Sequence, residues 1–162
     1  MNFFDAACQE PPINTKLFGL CDDENGTKAY TDTVDSSKWI ATVKNDSMLD
    51  VTFTAIDKCV IKDNEGKGKG RCDAMLTTKL SLFLVELKNA SSAKNVDILE
   101  QLISTIAFLK QYHNIDSYTH KKVYACNKKR SQFVVIDNEE NKAFYNTYGF
   151  RMDIQGEIIV IK

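Results

Sequence analysis

The stretch from Leu80 to Asn89, LSLFLVELKN, constrains this chain more than any other. It is almost continuously apolar, and such a run suits a strand covered on both faces near the middle of a sheet. Within it stand Glu86 and Lys88, two residues apart and so on the same face of a strand. Ionised side chains in a buried strand cost on the order of several kcal/mol unless they pair or bind a metal. The chain must therefore build a sheet around this strand and also provide for its acid and its base.

The flanking sequence predicts that sheet. VTFTAIDKCVI (Val51–Ile61) is rich in β-branched residues and alternates, which predicts a strand. KDNEGKGKG (Lys62–Gly70) is a polar, glycine-rich connector, and it lacks the G-x-x-x-x-G-K-[ST] spacing of a phosphate loop. RCDAMLT (Arg71–Thr77) predicts a second, short strand, so the three strands follow one another in antiparallel order. Ser91–Tyr112 predicts a helix whose apolar stripe is Leu99, Leu102, Ile103, Ile106 and Leu109, capped by Asn95 or Asp97. Beyond it KKVYACN (Lys121–Asn127), QFVVID (Gln132–Asp137) and EIIVIK (Glu157–Lys162) read as strands. Glu139–Tyr148 reads as a short helix ending before Gly149.

The resulting class is α/β bordering on α+β, with a central mixed β-sheet flanked by helices. A length of 162 residues suits one domain. Residues 1–50 read as an irregular extension plus a first helix, 51–127 as the core and 128–162 as its completion. Within the extension, SSKWIATVKN (Ser36–Asn45) fits a short helix or a strand.

Several function classes lack support. No apolar run approaches the roughly 18 residues of a membrane helix, and MNFFDAACQE lacks the basic and apolar regions of a secretory leader. The five cysteines are scattered without a CxxC or Cys/His cluster, which predicts free thiols in a reducing cytoplasm and no zinc site. His113 and His120 have no partner at ligand spacing and read as surface or loop residues. The acidic turn Asp22–Gly26 lacks the alternating ligands of a calcium loop. No G-x-S-x-G is present. Net charge is −1, but residues 1–60 balance at −5 and residues 61–162 at +4. In the basic part Lys121, Lys122, Lys128, Lys129 and Arg130 have no acid between them, and such a stretch suits contact with phosphates or solvent. Tyr145, Tyr148 and Phe150 read as core.

The chemistry gathers elsewhere. A tight hairpin between the second and third predicted strands brings Asp73 beside Glu86. Two carboxylates offer hard oxygen ligands to Mg²⁺ or Mn²⁺, and Lys88 would stand next to metal-bound water. Arg71-Cys72-Asp73, then Val85-Glu86-Leu87-Lys88, then a helix bearing Gln101 resembles the PD-(D/E)XK nuclease superfamily, the restriction-endonuclease-like fold. The resemblance covers about Val51 to Asn127. It implies metal ligation by Asp73, Glu86 and the main-chain carbonyl of Leu87. It also implies a water-positioning role for Lys88 and an orienting role for Gln101. Thr105 stands where some branches carry a tyrosine after the glutamine, and Cys72 stands where proline is usual. The acid expected from a first helix falls to Asp46 or Asp50. The implied function is Mg²⁺-dependent hydrolysis of phosphodiester bonds, in DNA more than RNA. The alternative is an inactive scaffold of the same fold acting as an interaction or antitoxin-like protein, as a homodimer or with a protein partner.

Overall fold

The first fifty residues depart most from expectation. In the computed structural model, which describes residues 1–65, 70–89, 95–128, 137–154 and 157–162, they form strands β1 (Leu17–Cys21), β2 (Tyr30–Asp32) and β3 (Ala41–Lys44). The helix expected here reduces to two 3₁₀ turns, Ala6–Cys8 and Ser36–Lys38. The local reason lies at Gly19 and Trp39. A Cβ on Gly19 would meet the Trp39 ring at 2.0–2.2 Å, so only glycine lets the indole lie across β1. Trp39 Nε1 then donates to Asp32 Oδ2 at 2.8 Å, which holds β2 beside β1. With Trp39 committed there, the following residues extend as β3, pairing antiparallel with β1 (Phe18 opposite Val43).

The predicted core follows as β4 (Thr52–Ala55), β5 (Ala74–Thr77), β6 (Ser81–Lys88), α1 (Asn95–Tyr112) and β7 (His120–Asn127). It is completed by α2 (Asn138–Tyr148), β8 (Arg151–Ile154) and β9 (Glu157–Ile159). Five strands form one sheet in the order β4-β5-β6-β7-β8, antiparallel up to β6 and parallel after it. The apolar run Leu80–Asn89 supplies its middle strand, buried along its length until Lys88. The terminal strand β9 does not extend this sheet. It pairs parallel with β3 and closes a four-stranded sheet, β2-β1-β3-β9.

Alternation along β6 explains the layering. Leu82 and Leu84 pack with Ile98, Leu102, Ile106 and Leu109 of α1 and with Phe144 of α2. Phe83, Val85 and Leu87 pack on the opposite face with Phe18, Leu20 and Val43 of the smaller sheet. Both helices therefore cover one face, and a second sheet covers the other, which corrects the expectation of flanking helices. Each of these side chains stabilises the fold by about 1.5–3 kcal/mol on full burial. The stripe of α1 is centred one residue off the expected set: Ile98 is buried while Leu99 and Ile103 are partly exposed. The protein is thus mixed α/β, with two mixed sheets and two helices among the described residues.

Local signals set the ends of α2. Asp137 accepts the Glu140 N–H at 2.8 Å as N-cap. Gly149, at φ 76°, ends the helix in the left-handed conformation that favours glycine. Residues 132–136 of the predicted QFVVID strand lie outside the described residues. The thiol expectation is also corrected: Cys8 is disulfide-bonded to Cys59, and Cys21, Cys72 and Cys126 are free and buried. The disulfide ties the first turn to the loop after β4, and Glu10 N–H bonds the Phe53 carbonyl within β4 at 3.0 Å. No described helix is long and apolar enough to cross a membrane.

Candidate active site

Asp73 sits one residue before β5, where pairing with β6 is running out. Its N–H still bonds the Val85 carbonyl at 3.1 Å. Beyond that point Leu87 has no strand partner on this side, and a buried N–H needs an acceptor. Asp73 supplies it, Oδ2 accepting from Leu87 N–H at 2.6 Å. In a strand the N–H and carbonyl of one residue face the same neighbour, so the Leu87 carbonyl also points to the Asp73 side. The bond from Lys128 N–H to the Lys88 carbonyl, on the β7 side, agrees with that alternation.

Glu86 and Lys88 share the helix-facing side of β6. Glu86 is wholly buried, and Lys88 Nζ lies 2.6 Å from its Oε1, with the lysine side chain 30% exposed. Lys88 is thus the ionic partner of Oε1, and Oε2 has no hydrogen-bond partner among the described residues. Burial pushes the Glu86 carboxyl well above its ordinary range, the Asp73 charge adds to this, and Lys88 partly offsets both. Burial likewise pushes Asp73 up to about 7. The Leu87 N–H and Lys88 pull it back, while Asp22 and Asp57 push with burial. Burial alone would lower Lys88, but the charges of Glu86, Asp73 and Asp22 outweigh it and raise it.

Gln101 is placed one step away from this pair. Its Nε2 donates to the Arg71 carbonyl at 3.4 Å. The chain passes so close that a Cβ on Gly70 would meet Gln101 Cγ at 2.7 Å. One turn on, Thr105 accepts the Cys72 N–H at 2.9 Å and donates to the Gln101 carbonyl at 2.8 Å. Together these residues fasten α1 to the backbone just before Asp73. Thr105 thus has a structural task of its own.

The structure also brings in two acids that sequence reasoning missed. Asp22 follows β1 directly and acts on both Asp73 and Lys88; Asp57 follows β4 and acts on Asp73 and Glu86. Asp57 is held by Arg71, which also reaches Asp63 at 2.5 Å. Only their positions at strand ends hinted at this, since the packing of the smaller sheet brings Asp22 in. Asp46 and Asp50, the expected extra acids, are exposed on the connection between β3 and β4.

The basic residues divide. Lys128 lies at the site end of β7, its Nζ on the Ser37 carbonyl. Lys121 and Lys122 stand opposite Leu82 and Phe83, about 15–20 Å along the sheet from Lys88 at 3.3 Å per residue. Lys122 pairs with Asp153 at 3.0 Å, and Lys121 donates to the Tyr118 carbonyl. Lys129 and Arg130 lie outside the described residues.

Among the described residues no three His, Cys, Asp or Glu side chains gather as a metal cluster. Mg²⁺ asks for less, often one or two carboxylates with waters and a phosphate. Asp73, Glu86 and the Leu87 carbonyl fit that donor set. Glu86 Oε2, which has no partner among the described residues, is what such a cation would satisfy. Comparison with known proteins returns no family model, no curated protein and no solved structure that matches the chain.

Proposed function

We propose that this protein is a Mg²⁺- or Mn²⁺-dependent nuclease with a restriction-endonuclease-like core, hydrolysing phosphodiester bonds in DNA more than RNA. The observation that carries the reading is Glu86, wholly buried beside Asp73, with the Lys88 ammonium on one oxygen and no hydrogen-bond partner on the other among the described residues. A native fold keeps so costly a group for a reason, and binding a cation is one. The order of three antiparallel strands, a crossover helix and a parallel strand supports the same reading. A divalent cation held here would supply charge stabilisation at the phosphate and lower the pKa of a water. Asp73 and Glu86 would hold it, with the Leu87 carbonyl alongside. Lys88 would position the attacking water. Gln101 and Thr105 position the backbone that carries Asp73.

The test is Mn²⁺ calorimetry on wild type and Asp73→Ala. The variant is expected to lose most of the uptake, and equal uptake by both overturns the ligand assignment. One observation favours the second reading, an inactive interaction scaffold: Asp73 is only 9% exposed and Glu86 not at all. On that reading wild type takes up no Mn²⁺, and Glu86 with Lys88 is an internal ion pair.

A further inference from the structure

The second surface with chemical character lies along the β8 edge, across β7 from the acidic pair. Asn141 of α2 is pinned there: its side chain donates to the Met152 carbonyl at 3.0 Å and accepts the Met152 N–H at 3.1 Å. This fixes the helix face carrying Asn138, Lys142 and Tyr145 against the start of β8. Arg151 joins it, its guanidinium 5.8 Å from the centre of the Tyr145 ring. These residues line a cavity of about 360 Å³, and Tyr145 and Arg151 also line an adjoining one of the same size that reaches Lys121 and Lys122. No carboxylate is among the described residues lining either cavity. Tyr145, expected in the core, is 49% exposed, whereas Phe150 five residues on is wholly buried.

We propose that this double groove binds single-stranded nucleic acid, with Tyr145 stacking a base and Arg151 and Lys142 meeting the phosphates. Cations without carboxylates select an anion. A half-exposed aromatic ring beside a guanidinium selects a flat base that is free to leave its neighbours, as in a single strand and not in a duplex. The amide groups of Asn138 and Asn141 line the same wall, where a sugar or base edge would pass. Lys122 is already paired with Asp153, so Arg151 and Lys142 carry the ionic part. The groove is apart from Asp73 and Glu86, and its binding does not depend on cleavage.

The experiment is fluorescence anisotropy of labelled oligo-dT with the full chain in EDTA at two salt concentrations. Variants are Tyr145→Ala, Tyr145→Leu, Arg151→Gln and, as a charge control, Lys28→Gln. Loss of the stacking ring is expected to weaken binding by about 5- to 100-fold in both Tyr145 variants. Arg151→Gln is expected to weaken it and lower the salt slope by about 1, with Lys28→Gln unchanged. Melting curves show that each variant is folded, and Tyr145→Leu preserves the bulk if alanine does not fold. No binding at low salt overturns the proposal, as does binding indifferent to Tyr145 and Arg151. A duplex bound as tightly as the single strand overturns the stacking role. Full competition by inorganic phosphate at the same phosphate concentration reassigns the groove to a free anion. Because no metal is present, failure of the nuclease reading leaves this outcome untouched.

Discussion

Replacing Lys88 by methionine removes the charge from the acidic pair while keeping most of the aliphatic stem. Lys88 Nζ lies 2.6 Å from an oxygen of the wholly buried Glu86. Removing one partner of a buried pair costs about 3–5 kcal/mol when the other charge has no escape. Glu86 has one, since burial and Asp73 already hold its carboxyl well above the ordinary range and it can take up a proton. Losing Lys88 removes an opposing effect and raises it further. The sign follows: a carboxyl raised in the folded state costs stability as pH rises, so the penalty of Lys88→Met grows with pH. We expect a penalty in metal-free protein of up to about 3 kcal/mol that is larger at pH 8 than at pH 5, the lower end of the range because Lys88 is partly solvated. Urea unfolding at both pH values reads this directly. Adding Glu86→Gln to the variant should recover most of the loss at pH 8, giving a coupling energy well above zero. A penalty equal at both pH values, with no coupling to Glu86, refutes the reasoning.

Three further outcomes follow from the same geometry. Asp73 is pushed from 3.8 to about 7, so the folded metal-free protein binds this proton more tightly than the unfolded chain. Stability should fall by up to about 4 kcal/mol as pH rises across that interval, and Asp73→Asn should flatten the profile of melting temperature against pH. Thr105→Val leaves the buried Cys72 N–H without its acceptor and should cost about 1–3 kcal/mol in denaturant titration, whereas Thr105→Ser should cost far less. The Cys8–Cys59 bond spans 51 residues, and opening it with dithiothreitol should cost up to about 4 kcal/mol. Cys59→Ser should then melt alike with or without reductant, and a wild-type melt insensitive to reductant contradicts the pairing.

What was legible in the sequence came from local periodicity. The unbroken apolar run of β6 marked the sheet centre, and the stripe of α1 marked its helix. Gly149 marked the end of α2, whereas its Asp137 cap read as the end of a strand. That Glu86 and Lys88 share a face followed from their two-residue spacing, and the structure brings them into contact. The smaller sheet was not legible, because β1 and β3 are held by partners far away in sequence. One is a glycine that admits Trp39, and another is β9 from the other end of the chain. Its packing is also what brings Asp22 to the site, so that acid was invisible to any local pattern. The disulfide was hidden for the same reason, since spacing alone does not tell which cysteines meet. Tyr145 was misassigned because an aromatic at helical spacing fits a core face and a groove wall equally well.

The measurement that bears most directly on the acidic pair is Mn²⁺-dependent cleavage of plasmid, single-stranded DNA and RNA by wild type and Lys88→Met, each checked for fold by its melting curve. Wild type is expected to cleave, DNA before RNA. Lys88→Met is expected to fold, still take up metal and cleave about 100-fold more slowly or worse, the usual effect of losing one well-placed electrostatic stabiliser. A folded Lys88→Met that cleaves as fast as wild type, or a metal-loaded wild type that cleaves none of the three, contradicts the nuclease reading.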